Sequence, residues 1–155
     1  MDTLNILNPD PPLNHRFGVF FFAGGRVPNP IDTRFQKVSG LSTSFQTESI
    51  SEGGQNLYSH RLPTRAAYNN LVLERGLVVG SPLSMEFDAA FSLFRFAPSN
   101  VLVTLLGSQN EPLAAWMFIK AYPVGWALGA LDASSPAVAI NTLELAYSRF
   151  QTIHV

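Results

Sequence analysis

The stretch ESISEGGQNLYSHRLPTRAAYNNLVLERGL, residues 48–77, decides how this chain folds. Its Gly53–Gly54 pair predicts a tight turn, because glycine adopts positive φ without steric cost. The run before the turn, residues 41–51, alternates as a strand does but has few apolar anchors. The run after it, residues 56–62, predicts a return strand that ends at Pro63. We therefore predict a long, half-polar hairpin that suits pairing with a neighbouring chain better than the core of a monomer.

Apolar or alternating runs on either side of this hairpin predict further strands. They cover residues 15–23, 33–38, 68–73, 101–106 and 113–122, and residues 138–153 predict a long terminal strand. In the terminal run the apolar residues change from even to odd positions, which predicts a bulge near Asn141–Thr142. Most of the chain is therefore predicted to be β-structure.

One helix is predicted at about residues 82–96. Ser81 is a suitable N-cap, and Pro82 suits the first helical position. The apolar residues that follow recur every three or four positions, which predicts one buried stripe. The stripe contains Leu83, Phe87, Ala90, Phe91 and Phe94.

Together these elements predict a mainly β fold with a minor α+β character, namely a β-barrel or sandwich with one helix plugging or flanking it. The predicted core consists of Phe17, Val19, Phe21, Leu71, Leu73, Phe87, Phe91, Val103, Leu105 and Trp116. Residues 15–155 are predicted to form this single domain. Residues 1–14 are predicted to be an extended arm, because the prolines among them fix φ and lack amide donors.

Composition argues against several classes of function. Charged residues make up 14% of the chain, against roughly 25% in typical soluble proteins, and interface cores are depleted in charge. The net charge of −1 leaves no basic surface for nucleic acid. The chain has no cysteine, which excludes disulfides and thiolate metal sites. We predict neither a secretory signal nor a membrane anchor, because no apolar run approaches roughly 18 residues and no basic segment precedes one.

No arrangement of catalytic or ligand-binding residues is recognisable in the sequence. His15, His60 and His154 are scattered, without the spacing typical of a metal site. No serine lies in a GxSxG nucleophile elbow, and no phosphate-binding lysine follows Gly24–Gly25. The sequence therefore predicts no enzyme activity, no cofactor and no metal.

Two groups of residues permit alternative interpretations. Arg61, Arg65, Glu74 and Arg75 are the densest charged group and could bind phosphate, since arginine binds it bidentately. Pairing with Glu48, Glu52 or Glu74, across strands or across subunits, is the favoured interpretation. The aromatic residues Trp116, Tyr122 and Trp126 could stack on a ligand, although residues in such apolar strands are more often core.

Several motifs in this order resemble the tail tube protein family of contractile phage tails and phage tail-like contractile injection systems. FQKVSGL, residues 35–41, resembles the family's FxxVSGL element, and residues 52–56 resemble its acidic-Gly-Gly-Asn hairpin tip. The K/R-L-P-G-R-x-x-Y and K-R-G-L elements correspond to residues 61–68 and 74–77, with Thr64 and Glu74 in place of glycine and lysine. The similarity continues through Trp116, AYPVGW, LDA and VAINTLELAY, and covers roughly residues 17–150.

This resemblance implies a small β-barrel or sandwich of two packed sheets with one flanking helix. It also implies that the chain is a structural subunit of an inner tube, in which six-membered rings stack inside a contractile sheath. It leaves open whether the chain is the main tube subunit or a baseplate-proximal tube initiator, and whether a protein effector or DNA passes through the lumen. It implies as partners further copies of the chain, the sheath protein and baseplate or spike proteins. Assembly in the bacterial cytoplasm, and a place in a phage tail or an extracellular or cell-associated particle, are implied in the same way.

Residues 48–57 are expected to form a projecting hairpin whose tip contacts the next ring or the baseplate. The residues expected to make contacts between subunits or between rings are Glu48, Ile50, Glu52, Gly53, Gly54, Gln55, Asn56, Arg61 and Arg65. Most of them are polar, so we expect hydrogen bonds and ion pairs with a neighbouring subunit. The rival interpretation is a monomeric small-ligand-binding β-barrel with Trp116 and Trp126 in its pocket.

Overall fold

The computed structural model of the protein describes residues 16–22, 34–54, 56–77, 81–93, 98–134 and 138–154. Within these ranges the chain forms ten strands and one helix. In chain order they are β1 Arg16–Phe22, β2 Arg34–Phe35, β3 Lys37–Ser39, β4 Thr43–Ile50, β5 His60–Tyr68, β6 Leu71–Gly76, α1 Pro82–Leu93, β7 Ser99–Leu106, β8 Pro112–Leu128, β9 Ile140–Ala146 and β10 Arg149–Ile153. The predicted arm, residues 1–14, and the predicted helix end, residues 94–96, lie outside the described residues.

Two antiparallel sheets share the long strand β8 and form the body of the molecule. Sheet A contains β2, β1, β7, the first half of β8 and β10. Sheet B contains the second half of β8 with β9, β6 and β3. The path from β2 to β3 stays open among the described strands. The mainly β prediction with two sheets and one helix is confirmed, and the architecture is a sandwich, not a closed barrel.

A bend in β8 moves the chain from sheet A to sheet B. Lys120 has φ of 53°, in the left-handed region, and its N–H donates to Asn100 Oδ1 at 3.2 Å. The pairing with β7 shifts register here, between Ser99 and Val101, as expected at a bulge. Opposite this bend the terminal run divides into β9 and β10. The predicted bulge near Asn141–Thr142 is wrong, because β9 stays in register there. The apolar pattern changes phase because buried Asn141, a polar residue, takes the inward position that Leu143 and Leu145 continue.

The core lies between the two sheets and under the inner side of α1. Its buried apolar residues include Val19, Phe35, Leu71, Leu73, Leu83, Phe87, Val101, Val103, Phe118, Leu143 and Leu145. Phe17, Phe21 and Trp116 are half-buried and pack against them. The prediction of a buried Phe91 is wrong, because Leu83, Phe87 and Ala90 face the sheets whereas Phe91 lies at the rim of the stripe and is 37% exposed.

Two predicted strand limits also differ from the structure. The return strand begins at His60, not Asn56, and continues through Pro63 to Tyr68. Pro63 is tolerated because β5 pairs with β4 alone among the described strands, and an edge strand does not need every amide donor. The strand predicted at residues 68–73 begins at Leu71 instead.

Candidate functional site

The strands β4 and β5 form a separate two-stranded sheet, which we call the exposed hairpin, residues 43–68. Pairing runs from Thr43 opposite Tyr68 to Ile50 opposite His60. Every residue of β4 is exposed, and so is every residue of β5 except Tyr68. β4 follows β3 in the chain and β5 precedes β6, and β3 pairs with β6 at the edge of sheet B. The exposed hairpin therefore extends these two edge strands into solvent.

The base of the exposed hairpin is fixed to the body. The Tyr68 ring packs edge-on against Tyr147 and Phe150, at centroid distances of 5.8 and 5.6 Å. Asn69 Nδ2 donates to Ser42 Oγ at 2.5 Å. Gly40 has φ of 86°, and a Cβ on it would overlap the Asn70 carbonyl oxygen. The base is therefore held by ring packing, a hydrogen bond and a glycine-dependent close approach.

The two faces of the exposed hairpin differ in their relation to the body. The register places Ser44, Glu48 and Ile50 on the face opposite to that of Tyr68. Phe45 and Arg61 lie on the same face as Tyr68, which packs against the body. The register shifts between Phe45 and Thr47, where Thr64 Oγ1 donates to the Gln46 carbonyl at 3.0 Å.

Two side-chain contacts lie at the tip of the exposed hairpin, one between a histidine and a carboxylate and one between two rings. His60 Nε2 lies 3.6 Å from Glu52 Oε1, and the Tyr58 ring meets the His60 ring edge-on at 5.3 Å. Gly54 has φ of 90° and open space around it, as the turn prediction requires. Gln55 lies outside the described residues. Leu57 is 91% exposed, so the tip offers an apolar side chain beside its polar ones.

The densest charged group of the sequence does not form one site. Arg61 and Arg65 lie on the exposed hairpin, and neither forms an ion pair with another described residue. Glu74 pairs instead with Lys37, with 3.5 Å between Oε2 and Nζ. Arg75 is only 2% exposed, lies 5.1 Å from the Phe35 ring centroid and donates to Ser81 Oγ at 2.8 Å. Arg75 therefore joins β6 to the start of α1, and the phosphate-clamp interpretation has no geometry to support it.

The aromatic pocket of the rival interpretation is also not formed. Trp116 packs against the core from β8, whereas Trp126 is exposed and borders an open groove with Asp88, Phe91 and Ser92. This groove measures about 420 Å³ and does not include Trp116. The two tryptophans therefore belong to different environments.

Titratable groups in the described ranges show two pKa changes. The Ser134 hydroxyl and then its N–H donate to Asp132 and lower the pKa of that carboxyl below 3.8. Burial raises the pKa of Tyr147, and the nearby Tyr68 raises it further. No group of three potential metal ligands occurs among the described residues. No described helix is long and apolar enough to cross a membrane.

Comparison with a protein-family model identifies a family along most of the chain. The family is described as T4-like virus tail tube protein gp19, and its model matches residues 13–151. A search of curated proteins finds no match.

Solved structures share the fold along nearly the full chain. A chain in the cryo-EM structure of the anti-feeding prophage (AFP) baseplate, 6-fold symmetrised, is 38% identical with a TM-score of 0.82. The alignment covers 93% of the present chain and 96% of that one. A chain in the PVC sheath-tube complex of an extracellular contractile injection system, in its extended state, is 22% identical with a TM-score of 0.79, covering 100% and 99%. Hcp1 from Flavobacterium johnsoniae is 16% identical with a TM-score of 0.51, covering 89% and 94%.

Proposed function

This chain belongs to the tail tube protein gp19 family of T4-like viruses, and we propose that its copies form six-membered rings that stack into the inner tube of a contractile tail or injection system. The role is structural, either along the tube or as the tube initiator at the baseplate. A structural role for the family and for its structural neighbours argues against an enzyme. The exposed hairpin is the observation that carries the proposal.

An isolated two-stranded hairpin is marginally stable in water, because it buries too little surface. The exposed hairpin contains strands of eight and nine residues, and each pairs only with the other among the described strands. Their outer edges therefore present N–H and C=O groups that a further strand can pair. Pairing β4 of one copy with β5 of the next would satisfy both edges, and such a head-to-tail contact closes into a ring when the rotation between neighbouring copies is one sixth of a turn.

The other edges of the molecule are poorly suited to this role. Among the described strands that pair on one side only, β2 has two residues, β3 has three and β10 has five, and very short edge strands are a common protection against edge-to-edge pairing. The longest strands of this kind, with eight and nine residues, are β4 and β5 of the exposed hairpin. This distribution supports a specific assembly contact there.

Similarity to chains from a baseplate and from a sheath-tube complex supports two further partners, a contractile sheath outside the tube and a baseplate or spike below it. The lumen of the proposed ring would carry cargo, either a protein effector or DNA. A ring of six copies carries about −6 from the chain charge of −1, which is too small a field to select the cargo by itself. Assembly in the bacterial cytoplasm is part of the same proposal.

The hairpin residues predicted from the sequence remain the proposed contacts between subunits and between rings. These are Glu48, Ile50, Glu52, Gly53, Gly54, Gln55, Asn56, Arg61 and Arg65. Arg61 and Arg65 have no ionic partner among the described residues, so carboxylates of a neighbouring copy can pair with them. Truncating one member of a desolvated interface pair costs on the order of 2–5 kcal/mol.

Purified protein tests this proposal directly. We expect rings or tubes in negative-stain micrographs and a light-scattering mass well above the 17.0 kDa chain. If the protein needs a nucleus, rings should appear when baseplate components are co-expressed. A mass of one chain under both conditions, without rings, would contradict it.

A charge-reversal variant then tests the role of the exposed hairpin. Glu48→Lys with Glu52→Lys should keep the wild-type circular dichroism and melting temperature, because these residues are exposed, yet should reduce the number of tubes. Lys37→Glu with Glu74→Lys is a matched control, because it preserves a pair of opposite charges at the edge of sheet B. A normal number of tubes from this variant would show that the exposed hairpin does not take part in assembly.

A further inference from the structure

We infer that the tip of the exposed hairpin, through Leu57 and Tyr58, docks on an apolar patch at the opposite end of another copy. We call this surface the distal patch and define it as Leu77, Leu131 and Val138. The inference rests on the proposed function and adds the receiving surface, together with an apolar character for a contact that the sequence had indicated to be polar.

The two surfaces lie at opposite ends of sheet B. β6 begins at Leu71, opposite Leu145, and ends at Gly76, opposite Ile140. The exposed hairpin joins the sheet at the Leu71 end, two residues after Tyr68. Six residues of β6 separate this end from the other by about 17 Å. Eight residues of β4 extend the hairpin by about another 24 Å beyond its base.

The distal patch is assembled by backbone contacts at the Gly76 end. The Leu77 N–H donates to the Ala139 carbonyl at 2.9 Å, and a Cβ on Gly76 would lie 3.3 Å from Val138 Cγ1. The Gly129 N–H donates to the Ile140 carbonyl at 2.8 Å, which brings the loop with Leu131 to the same end. Val138 is 70% exposed and Leu131 is 71% exposed, so this end of sheet B carries two highly exposed apolar side chains.

The tip presents complementary chemistry. Leu57 and Tyr58 are exposed, and Ile50 and Leu62 are exposed on the face opposite to that of Tyr68. Contiguous exposed apolar surface in a soluble protein marks an interaction site. A tip contact of this kind would remove apolar area from water at both surfaces, which favours association.

A second copy is the occupant that this arrangement fits. Two different surfaces at opposite ends of one chain make a head-to-tail contact, and this contact repeats as a stack when it relates copies by a translation along the ring axis instead of a rotation that closes. Stacking of rings requires that kind of repetition. The groove beside Trp126 does not meet this requirement, because Trp126 pairs with Leu143 inside the sheet and not at either end.

Complementary variants test the inference. Leu57→Asp removes the tip contact only, and Val138→Asp with Leu131→Asp removes the distal patch only. Each variant alone should give single rings without stacks. Mixing the two variants should restore one junction, because rings with an intact patch meet rings with an intact tip, and should yield pairs of rings. Met85→Asp, at an exposed apolar position on α1, is the matched control and should give wild-type stacks.

Each result has a definite meaning. Stacks from the patch variant, or single rings alone in the mixture, would overturn the inference while leaving ring formation intact. Absence of rings from the wild type under all conditions would overturn the proposed function instead. Circular dichroism and thermal melting confirm that each variant is folded.

Covalent trapping gives an independent measurement. The chain has no cysteine, so Leu57→Cys with Val138→Cys introduces the only two thiols. Oxidation should link copies end to end into ladders on a denaturing gel, since a disulfide forms only where the two Cα atoms lie within about 7 Å. Leu57→Cys with Met85→Cys should give no ladder, and equal ladders from both pairs would contradict a specific contact.

Discussion

The sandwich and the exposed hairpin come from one chain but are stabilised in different ways. In the sandwich, β6 and β9 alternate strictly, with Leu71, Leu73, Leu143 and Leu145 buried between the sheets. In the exposed hairpin the alternation is present but none of β4 is buried. Burial of apolar side chains at roughly 25 cal/mol per Å² stabilises the first region. The second has no comparable source of stability within the subunit.

This difference separates the part of the chain that stabilises the subunit from the part that is proposed to bind other copies. The base of the hairpin belongs energetically to the sandwich, because Tyr68 packs against Tyr147 and Phe150. The rest of the exposed hairpin is held by hydrogen bonds between β4 and β5 and by any further strand that pairs with their outer edges. Folding and assembly are thereby assigned to separate parts of the sequence.

The largest expected effect is on the sandwich. Phe118 is fully buried and contacts the rings of Tyr147 and Phe150. Phe118→Ala should therefore lower the free energy of unfolding by about 3–5 kcal/mol, as truncation of a buried aromatic does. Phe45→Ala, on the exposed hairpin, is the matched control and should change it by less than about 0.5 kcal/mol. Denaturant unfolding of the subunit, without assembly, measures both, and equal losses would show that the two regions are not distinct.

The junction between the two regions should be next in sensitivity. Gly40 and Gly54 have similar φ of 86° and 90°, but only Gly40 is close to other atoms. Gly40→Ala should cost about 1–3 kcal/mol through backbone strain, with an added cost from the overlap with Asn70. Gly54→Ala carries strain alone, so its melting temperature should fall less. A larger fall in melting temperature for Gly54→Ala than for Gly40→Ala would show that the close approach at Gly40 does not hold the base of the exposed hairpin.

The sequence predicts which segments of the sandwich are strands better than it predicts where each strand bends or ends, for reasons that particular residues show. Strict alternation at Leu71 and Leu73 identifies a strand with one buried face, and Ser81–Pro82 fixes the start of the helix. The bend at Lys120 could not be predicted, because a lysine carries no local preference for positive φ. The sequence predicts that Pro63 ends the return strand, whereas β5 continues through it to Tyr68. This is possible because β5 is an edge strand, which is a property of the sheet and not of the segment.

Prediction of the candidate surface shows a similar division. Glycines and polar residues at positions 52–56 indicate a projecting tip, and the structure exposes Glu52, Gly53, Gly54 and Asn56. The distal patch has no signal of this kind, because Leu77 and Val138 look like ordinary strand residues in the sequence. Their exposure follows from where the strands end. An assembly surface made by strand ends is visible only after the register is known.

Phe91 gives a smaller test of where the sandwich ends. Its predicted burial implied a loss of 3–5 kcal/mol on truncation to alanine, but its position at the rim of α1 reduces that. We expect Phe91→Ala to lower the free energy of unfolding by about 1 kcal/mol, chiefly through its contact with Phe87, whose ring centroid lies 6.4 Å away. Phe87→Ala, at the buried neighbouring turn, should cost several-fold more. Comparable losses at the two positions would mean that the groove beside Trp126 is closed in solution.

The smallest expected effect concerns the loop that carries Leu131 in the distal patch. The Ser134 hydroxyl donates to Asp132 Oδ1 at 2.7 Å and the Ser134 N–H at 2.9 Å, which together lower the pKa of this exposed carboxyl. Ser134→Ala removes the stronger of the two bonds, so the pKa of Asp132 should rise toward 3.8 without reaching it. NMR titration of the carboxyl measures this change, and Ser108→Ala in a different turn is the control.

The sign of the accompanying pH dependence follows from the direction of the shift. A lowered pKa in the folded protein means that the loop gains stability above the unfolded pKa of Asp132 and loses it as the pH falls through the folded one. Because this loop carries part of the distal patch, ring stacking should weaken in the same acidic range, and Asp132→Asn should remove that contribution to the pH dependence. An unchanged pKa in Ser134→Ala would show that the turn at residues 132–134 does not persist in solution, and the position of Leu131 would then depend on the copy that it contacts.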